Sequence, residues 1–285
     1  MKRLAPIGPV WLIALAVLLA RSAVPAAWSQ ERTLPAKADA ANCNRAAFRL
    51  VIDVGHTASN PGAISARGIY EYGFNLRLAK EIDRALLDAG FARSVLLVTA
   101  DGHRSALFDR AAKANGLPAD LFLSIHHDSV PDRFLQHWEY EGSRHPFSDR
   151  FKGHSLFVSY DNGDVRGSLL FGKLLGLQLK ARGLQYTPHY VEKFMGHRQR
   201  QLVDAEAGVY RYDQLIVLKS THMPAVLLEA GSIIHRDEEL AMGDSQRRAL
   251  VSAAVTDAVA AFCALRAPRI QPAAILQRAT SAHRP

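Results

Sequence analysis

The sequence lacks internal repeats and has no strong compositional bias. Its 285 residues are 48% hydrophobic and 22% charged, close to ordinary globular usage. This composition excludes a disordered chain, a collagen-like chain and a polytopic membrane protein. The length allows one large domain or two small ones, each with an adequate core.

The central part of the chain also lacks an excess of positive charge, although the whole chain carries a formal charge of +8. Lys2, Arg3 and Arg21 precede the first acidic residue, and four arginines follow the last one, Asp257, so the residues between have a net charge of about +1. A nucleic-acid-binding protein needs a basic stripe of its own. We therefore expect no nucleic-acid partner.

The apolar run near the start, VWLIALAVLLA, has only 11 residues, whereas a membrane-spanning helix needs roughly 20. Lys2 and Arg3 precede the run, and the small residues Ala27 and Ser29 follow it. This order predicts a signal peptide over residues 1–29, with an uncleaved membrane anchor as the alternative. Either way we expect export, to the periplasm or outside the cell.

Cysteine is scarce, since the chain has only Cys43 and Cys263. In an oxidising compartment a single pair is a candidate disulfide. The bond would join the start of the first predicted strand to the last predicted helix. Two buried free thiols are the alternative, because sequence does not show the distance between two cysteines.

Apolar segments with strand character alternate with segments of helical periodicity. We predict strands at 48–54, 95–99, 120–125, 156–159, 215–218 and 225–228, and helices at 71–89, 106–115, 169–180 and 247–265. This alternation is typical of an α/β fold with a twisted, mostly parallel sheet and helices on both faces. We expect one catalytic domain over residues 47–265, preceded by a leader at 30–46 and followed by a mobile basic tail at 266–285.

Polar clusters follow three of the predicted strands, where α/β proteins form their sites. The clusters are Asp53-Val54-Gly55-His56, Ser124-Ile125-His126-His127-Asp128 and Glu229-Ala230-Gly231, and Glu71 opens the first predicted helix. Two imidazoles and one carboxylate make a catalytic zinc site with one position left for water. A second carboxylate can then transfer the proton.

Three segments resemble the motifs of the zinc-dependent N-acetylmuramoyl-L-alanine amidases, the amidase_3 family. They are VIDVGHTASNPGAISARGIYEYGFNLRLAKEI, RAAKANGLPADLFLSIHHDS and MPAVLLEAGSIIHRDEEL. The first is similar to Asp-x-Gly-His, Pro-Gly-Ala and a Glu that begins a helix. The second resembles the family's Ser-Ile-His run, and the third its Pro-Ala-Val-Leu-x-Glu-x-Gly segment. The resemblance covers roughly residues 48–265.

The resemblance implies that His56, Glu71 and His126 bind Zn²⁺ and that Glu229 is the catalytic carboxylate. It implies peptidoglycan as the substrate and the amide between N-acetylmuramic acid and L-alanine as the bond that is cut. In that reaction zinc lowers the pKa of water towards about 7, and Glu229 takes the proton and later protonates the leaving amine.

Four further residues near the motifs are candidates for supporting roles. His127 replaces the Ala of the family's Ser-Ile-His-Ala-Asn and is a rival ligand, although neighbours on a strand point to opposite faces. Asp128 replaces the Asn and could hold a metal ligand. Asp53 could orient an imidazole or cap backbone N–H groups, and we interpret Arg110 as a structural partner more than a substrate contact.

Residues 129–153 lack clear periodicity and are too long for an ordinary loop. Some members of the family carry an inserted lid that covers zinc until an activator protein moves it. Glu139 and Glu141 could then reach the open metal position, whereas the alternative is a wall of the substrate groove.

Two other functions remain open at this point. A zinc peptidase that cuts the peptidoglycan stem peptide would use the same metal site, and a non-catalytic wall-binding module could keep a decayed one. We expect peptidoglycan and an activator protein as partners, and a monomer.

Overall fold

A computed structural model describes residues 42–100 and 106–267 of the chain. The strands are β1 Leu50–Val54, β2 Val95–Leu97, β3 Leu121–Asp128, β4 Gln136–Tyr140, β5 Ser143–Phe147, β6 Ser155–Val158, β7 Gln201–Asp204, β8 Val209–Arg211 and β9 Ala225–Ser232. The helices are α1 Glu71–Asp88, α2 Ala106–Asn115, α3 Val165–Ala181, α4 Ile216–Lys219, α5 Arg236–Gly243 and α6 Ser245–Arg266.

A seven-stranded sheet in the order β2-β1-β3-β9-β6-β8-β7 forms the centre of the described structure. β2, β1, β3 and β9 are parallel, β6 runs antiparallel to β9, and β7 runs antiparallel to β8. The parallel strands read as continuous apolar runs because both faces of the sheet are covered. The predicted fold class, a mostly parallel α/β sheet, is confirmed.

Alternate residues of the strands pack into two separate layers. Leu50 and Ile52 of β1 face a layer built with α1, α3 and α6, whereas Val51 faces a layer that includes α2 and α4. Side chains of successive strand residues point to opposite faces, so one buried strand supplies both layers. Helices therefore cover both faces of the sheet, as the alternation of elements predicts.

α6 is an apolar helix because it packs in the core of the domain. By length and composition it could cross a membrane, with a mean hydropathy of 1.6 over 18 residues. In the structure Val255, Val259 and Phe262 of α6 are buried against α1, α3 and the sheet. Its hydropathy is that of a core helix of this domain.

The structure differs from the sequence prediction in the segments 215–218 and 129–153. Residues 216–218 belong to α4 and do not form a strand, because a short apolar run does not distinguish a strand from a buried helical turn. Residues 129–153 contain the β4–β5 hairpin, whose turn residues Glu141 and Gly142 have φ angles of 49° and 74°. Positive φ at both positions is typical of a tight hairpin turn, and the Glu-Gly pair is its only local signal.

The predicted segments near the chain ends lie mostly outside the described residues. This applies to the signal peptide at 1–29, to residues 30–41 of the leader and to residues 268–285 of the basic tail.

A disulfide joins Cys43 to Cys263, with the two Cα atoms 5.2 Å apart. It ties the segment before β1 to the end of α6 across a sequence separation of 220 residues. Both residues pack in or against the larger core layer. The bond therefore closes the domain between its first strand and its last helix.

We expect the double substitution Cys43→Ser and Cys263→Ser to lower the free energy of unfolding by about 2–5 kcal/mol, because the bond restricts a long loop in the unfolded chain. Urea denaturation measures the change. The reduced native protein should have the same free energy of unfolding as the double variant. Equal free energies of unfolding for the oxidised and the reduced native protein would contradict the expectation.

Candidate metal centre and active site

The carboxyl ends of β1, β3 and β9 meet at one edge of the sheet, because these strands are parallel. His56 follows β1, His126 lies near the end of β3, and Glu229 lies in the last half of β9. Glu71 starts α1, the helix that connects β1 to β2. One sheet edge thus collects side chains that are up to 173 positions apart in sequence.

The carboxylate of Glu71 lies between two imidazole rings. Its Oε2 is 2.9 Å from His56 Nε2, and its Oε1 is 2.9 Å from His126 Nδ1. One donor atom from each of the three side chains lies within 4.8 Å of the others. Burial alone would raise the pKa of Glu71, but the hydrogen bonds with His126 and His56 outweigh it and hold the pKa well below its usual value.

The side chains of His56, Glu71 and His126 fit a divalent metal ion, and we call them the metal-binding group. The donor set matches the two imidazoles and one carboxylate of known three-ligand metal sites. Glycines give the rings their space: a Cβ at Gly55 would lie 2.3 Å from His126 Nε2, and a Cβ at Gly62 would lie 2.6 Å from Glu71 Oε2. Larger residues at these glycines would displace the donor atoms.

The backbone of His56 is held by a buried ion pair. His56 has a φ of 66°, in the left-handed region that residues other than glycine rarely adopt. Arg110 of α2 donates from Nη2 to the carbonyl oxygen of His56, and its Nε lies 3.6 Å from Asp53 Oδ1. Asp53 Oδ2 accepts a hydrogen bond from Ser124 Oγ at 2.7 Å.

These contacts correct the expectation for Asp53. Its carboxylate contacts Ser124 and Arg110, and it neither orients an imidazole directly nor caps backbone N–H groups. Asp53 and Arg110 are almost completely buried, so Arg110 is a structural partner of the His56 backbone.

His126 and His127 point to opposite sides of β3. His126 reaches Glu71, whereas His127 is 4% exposed and its Nδ1 is 2.7 Å from Asn75 Oδ1. The His127 ring packs 5.6 Å from the ring of Phe74. Burial lowers the pKa of His127 to about 3, so the ring stays neutral within the core.

Glu229 lies next to His126 across the β3–β9 ladder and next to Ser155 on the other side. Adjacent strands are about 4.8 Å apart, so Glu229 is close to the metal-binding group without belonging to it. Its Oε2 is buried and has no hydrogen-bond partner among the described residues. Burial, followed by the charges of Asp128 and Glu71, raises the pKa of Glu229 well above its usual value.

Asp128 does not hold a metal ligand, contrary to expectation. Its Oδ2 accepts a hydrogen bond from Tyr190 at 2.6 Å, and its Oδ1 accepts one from the backbone N–H of Ser129 at 2.8 Å. Burial raises the pKa of Asp128 to about 6, although the Tyr190 hydrogen bond opposes the rise. Asp128 thus links the carboxyl end of β3 to the segment that carries Tyr190.

Sequence reasoning missed two residues that support the site. Asn75 donates from Nδ2 to Glu71 Oε1 and to the Gly55 carbonyl oxygen, both at 3.1 Å. Its position one helical turn after Glu71 was the available signal, since residues four apart share a helix face. Tyr190 lies in the irregular segment between α3 and β7 and offered no such pattern.

Glu139 and Glu141 do not reach the metal-binding group; both are exposed on the hairpin. The opposite face of β4 binds the loop before α1: Trp138 Nε1 donates to the Ala66 carbonyl oxygen at 2.8 Å, and the Arg67 guanidinium lies 5.2 Å from the Trp138 ring centroid. Because side chains alternate along a strand, Glu139 points away from this contact. In this structure the two acids therefore do not contact the three candidate metal ligands, and the groove wall is the alternative that remains.

The fold and the site define an α/β protein with a candidate metal centre and a separate, unpaired carboxylate at one sheet edge. Metal-dependent hydrolases use this combination of groups.

Residues 50–261 match the Amidase_3 family, described as N-acetylmuramoyl-L-alanine amidase. The chain belongs to this family, which confirms the resemblance found in its motifs.

A relative with a similar sequence agrees with this assignment. The probable N-acetylmuramoyl-L-alanine amidase AmiB of Haemophilus influenzae is 28% identical over 234 residues, covering 76% of this chain and 52% of that protein. The chain thus spans about half the length of that relative.

Two solved structures share the fold. The amidase Ami1 from Mycobacterium smegmatis has a TM-score of 0.60 at 20% identity, covering 78% of this chain and all of that one. The CwlD amidase from Clostridioides difficile, in complex with the GerS lipoprotein, has a TM-score of 0.55 at 17% identity, covering 76% of this chain and 99% of that one. At these identities the likeness concerns the fold alone.

Replacing Arg110 by Met should lower the free energy of unfolding by about 3–5 kcal/mol, because Asp53 would stay buried without its counter-charge. Urea denaturation measures the loss. The matched control is Arg84→Met, which breaks an exposed pair with Asp88 and should cost less than about 0.5 kcal/mol. Equal losses in the two variants would argue against a supporting role for Arg110.

Proposed function

We propose that this chain hydrolyses the amide bond between N-acetylmuramic acid and L-alanine in peptidoglycan, as a zinc-dependent amidase. The observation that supports the proposal is the cluster of His56, Glu71 and His126 beside the unpaired carboxylate of Glu229. The match of residues 50–261 to the amidase family supports the same reaction.

His56, Glu71 and His126 would hold the zinc ion. Imidazole donors favour zinc over magnesium or calcium, which prefer oxygen ligands. When bound, zinc supplies a Lewis acid for the amide carbonyl and lowers the pKa of water. Asn75 and the backbone N–H of Ala63 hold the Glu71 carboxylate in place by hydrogen bonds of 3.1 and 3.3 Å.

Glu229 transfers the proton. Its free Oε2 accepts the proton of the attacking water, a new C–O bond forms, and the C–N bond of the amide breaks. Glu229 then returns the proton to the amide nitrogen, which leaves poorly unless it is protonated. The products are a lactyl carboxylate on the sugar and a peptide with a free L-alanine amine.

The proposed substrate places the protein outside the cytoplasmic membrane, in the periplasm or secreted. The Cys43–Cys263 disulfide supports an oxidising compartment, and a signal peptide over residues 1–29 would direct the chain there. We propose a monomer, with residues 129–153 as a wall of the substrate groove. The complex of the CwlD amidase with the GerS lipoprotein supports the proposal of a protein activator.

Replacing Glu229 by Gln should lower the hydrolysis rate by about 10²- to 10⁴-fold, since an amide side chain cannot carry the proton. Zinc content should stay the same, because Glu229 is not part of the metal-binding group. Muropeptide digestion followed by mass spectrometry measures the rate and identifies the product.

The same digestion decides between the possible functions. Free stem peptides that begin at L-alanine indicate an amidase, whereas cleavage within the stem indicates a peptidase. If the native protein cuts neither bond, the proposed reaction is wrong and a wall-binding role remains.

His126→Ala should remove most of the bound zinc, whereas His127→Ala should keep about one zinc per chain. His126 contacts Glu71 in the metal-binding group, while His127 packs against Asn75 and Phe74. Elemental analysis of the dialysed proteins measures the metal. Zinc loss in the His127 variant alone would reverse the ligand assignment.

A further inference from the structure

A cleft of about 650 Å³ opens beside β6, at the edge of the sheet that carries the active site. We call it the basic cleft; its lining includes Arg150, Lys152, Tyr186, His189, Phe194 and Arg247. Gly153, which also lines it, lies two residues before Ser155, the neighbour of Glu229 in the sheet. Two residues span at most about 7 Å, so the basic cleft begins close to the catalytic carboxylate.

The basic cleft has cations without matching acids. Arg150 and Lys152 have no ion-pair partner within residues 42–100 and 106–267, and both are exposed. Glu238 accepts hydrogen bonds from the backbone N–H groups of Gly153 and Ser232 and lies 3.8 Å from Arg247. Its negative charge is therefore balanced by these groups and does not neutralise Arg150 or Lys152. Glu192 is an exposed acid on the rim.

Aromatic rings hold the guanidinium of Arg150 over the cleft. Its Cζ lies 4.5 Å from the ring centroid of Phe194, 4.9 Å from that of Phe151 and 5.4 Å from that of Phe134. Contacts of this kind place a cation over aromatic faces. The rings also give the cleft an apolar wall beside its charged groups.

A buried side chain in the basic cleft has an unused polar atom. His189 is 5% exposed, its Nδ1 bonds to Thr187 Oγ1, and its Nε2 has no hydrogen-bond partner in the described part of the chain. A buried polar atom without a hydrogen-bond partner is unfavourable, and a hydrogen bond to a polar ligand would remove that cost. This second observation points to a ligand independently of the surface cations.

We propose that the basic cleft binds a carboxylate of the stem peptide, beyond the amide that is cut. This inference rests on the proposed function. In the substrate the lactyl carboxyl group is part of the amide and the N-acetylated sugars are uncharged, so the free carboxylates belong to the peptide. Excess cations in the basic cleft therefore complement the peptide and not the glycan.

The position of the basic cleft indicates which part of the peptide it binds. Gly153 at its near end is at most about 7 Å from Ser155, the neighbour of Glu229, and two extended peptide residues cover the same length. The proposal therefore assigns the carboxylates of the second and third peptide residues to Arg150 and Lys152. The apolar parts of the same residues would contact Phe151 and Phe194.

The test compares two soluble substrates, an N-acetylmuramoyl tripeptide with free carboxylates and the same compound with every carboxylate converted to a carboxamide. The double variant Arg150→Gln, Lys152→Gln should raise KM for the free acid about ten-fold, with kcat within two-fold. For the amide form, native protein and double variant should have the same, higher KM. The control Arg93→Gln changes an exposed arginine before β2, at the opposite edge of the sheet, and should alter neither value.

Equal KM values of native protein and double variant for the free acid would overturn the proposal. A second measurement separates failure of the proposed hydrolysis from failure of the cleft proposal. Calorimetry measures binding of the tripeptide without turnover when all proteins also carry Glu229→Gln. Binding that weakens about ten-fold with the double variant supports the basic cleft even if no hydrolysis occurs. Binding that does not change with the double variant refutes it even if hydrolysis is normal.

Discussion

The arrangement of the candidate active site depends on the contacts of the Glu71 carboxylate with two imidazole rings. The carboxylate lies within hydrogen-bond distance of both His56 and His126, and it joins the first helix to the ends of two parallel strands. Without this contact two imidazoles and a carboxylate would be unrelated residues on separate elements. The buried carboxylate also keeps its negative charge, because the hydrogen bonds with the imidazoles offset its desolvation.

Support for this contact comes from groups that do not touch a substrate. Arg110 holds the carbonyl oxygen of His56 in an uncommon backbone conformation, and Asp53 compensates the charge of Arg110. Asn75 connects Glu71 to the Gly55 carbonyl oxygen. Sites with preset geometry require such surroundings, since a shift of about 1 Å can cost two orders of magnitude in rate.

One segment of the chain connects the surroundings of the proposed proton carrier with the proposed peptide site. Tyr190 bonds to Asp128 near Glu229, and its neighbour His189 lines the basic cleft. One irregular segment thus bonds to Asp128 and lines the proposed peptide site.

The class of fold, the family and the residues that meet at the candidate metal centre can all be predicted from the sequence alone. Apolar runs mark buried parallel strands, and the motifs place His56, His126 and Glu229 at their carboxyl ends. The pairing of Asp53 with Arg110, the bond between Asp128 and Tyr190, and the exposure of Glu139 and Glu141 appear only in the folded chain. These contacts join residues far apart in the chain, and no local periodicity records such a pairing. The hairpin and the basic cleft could not be predicted from the sequence either, because their residues come from segments without regular hydrophobic patterns.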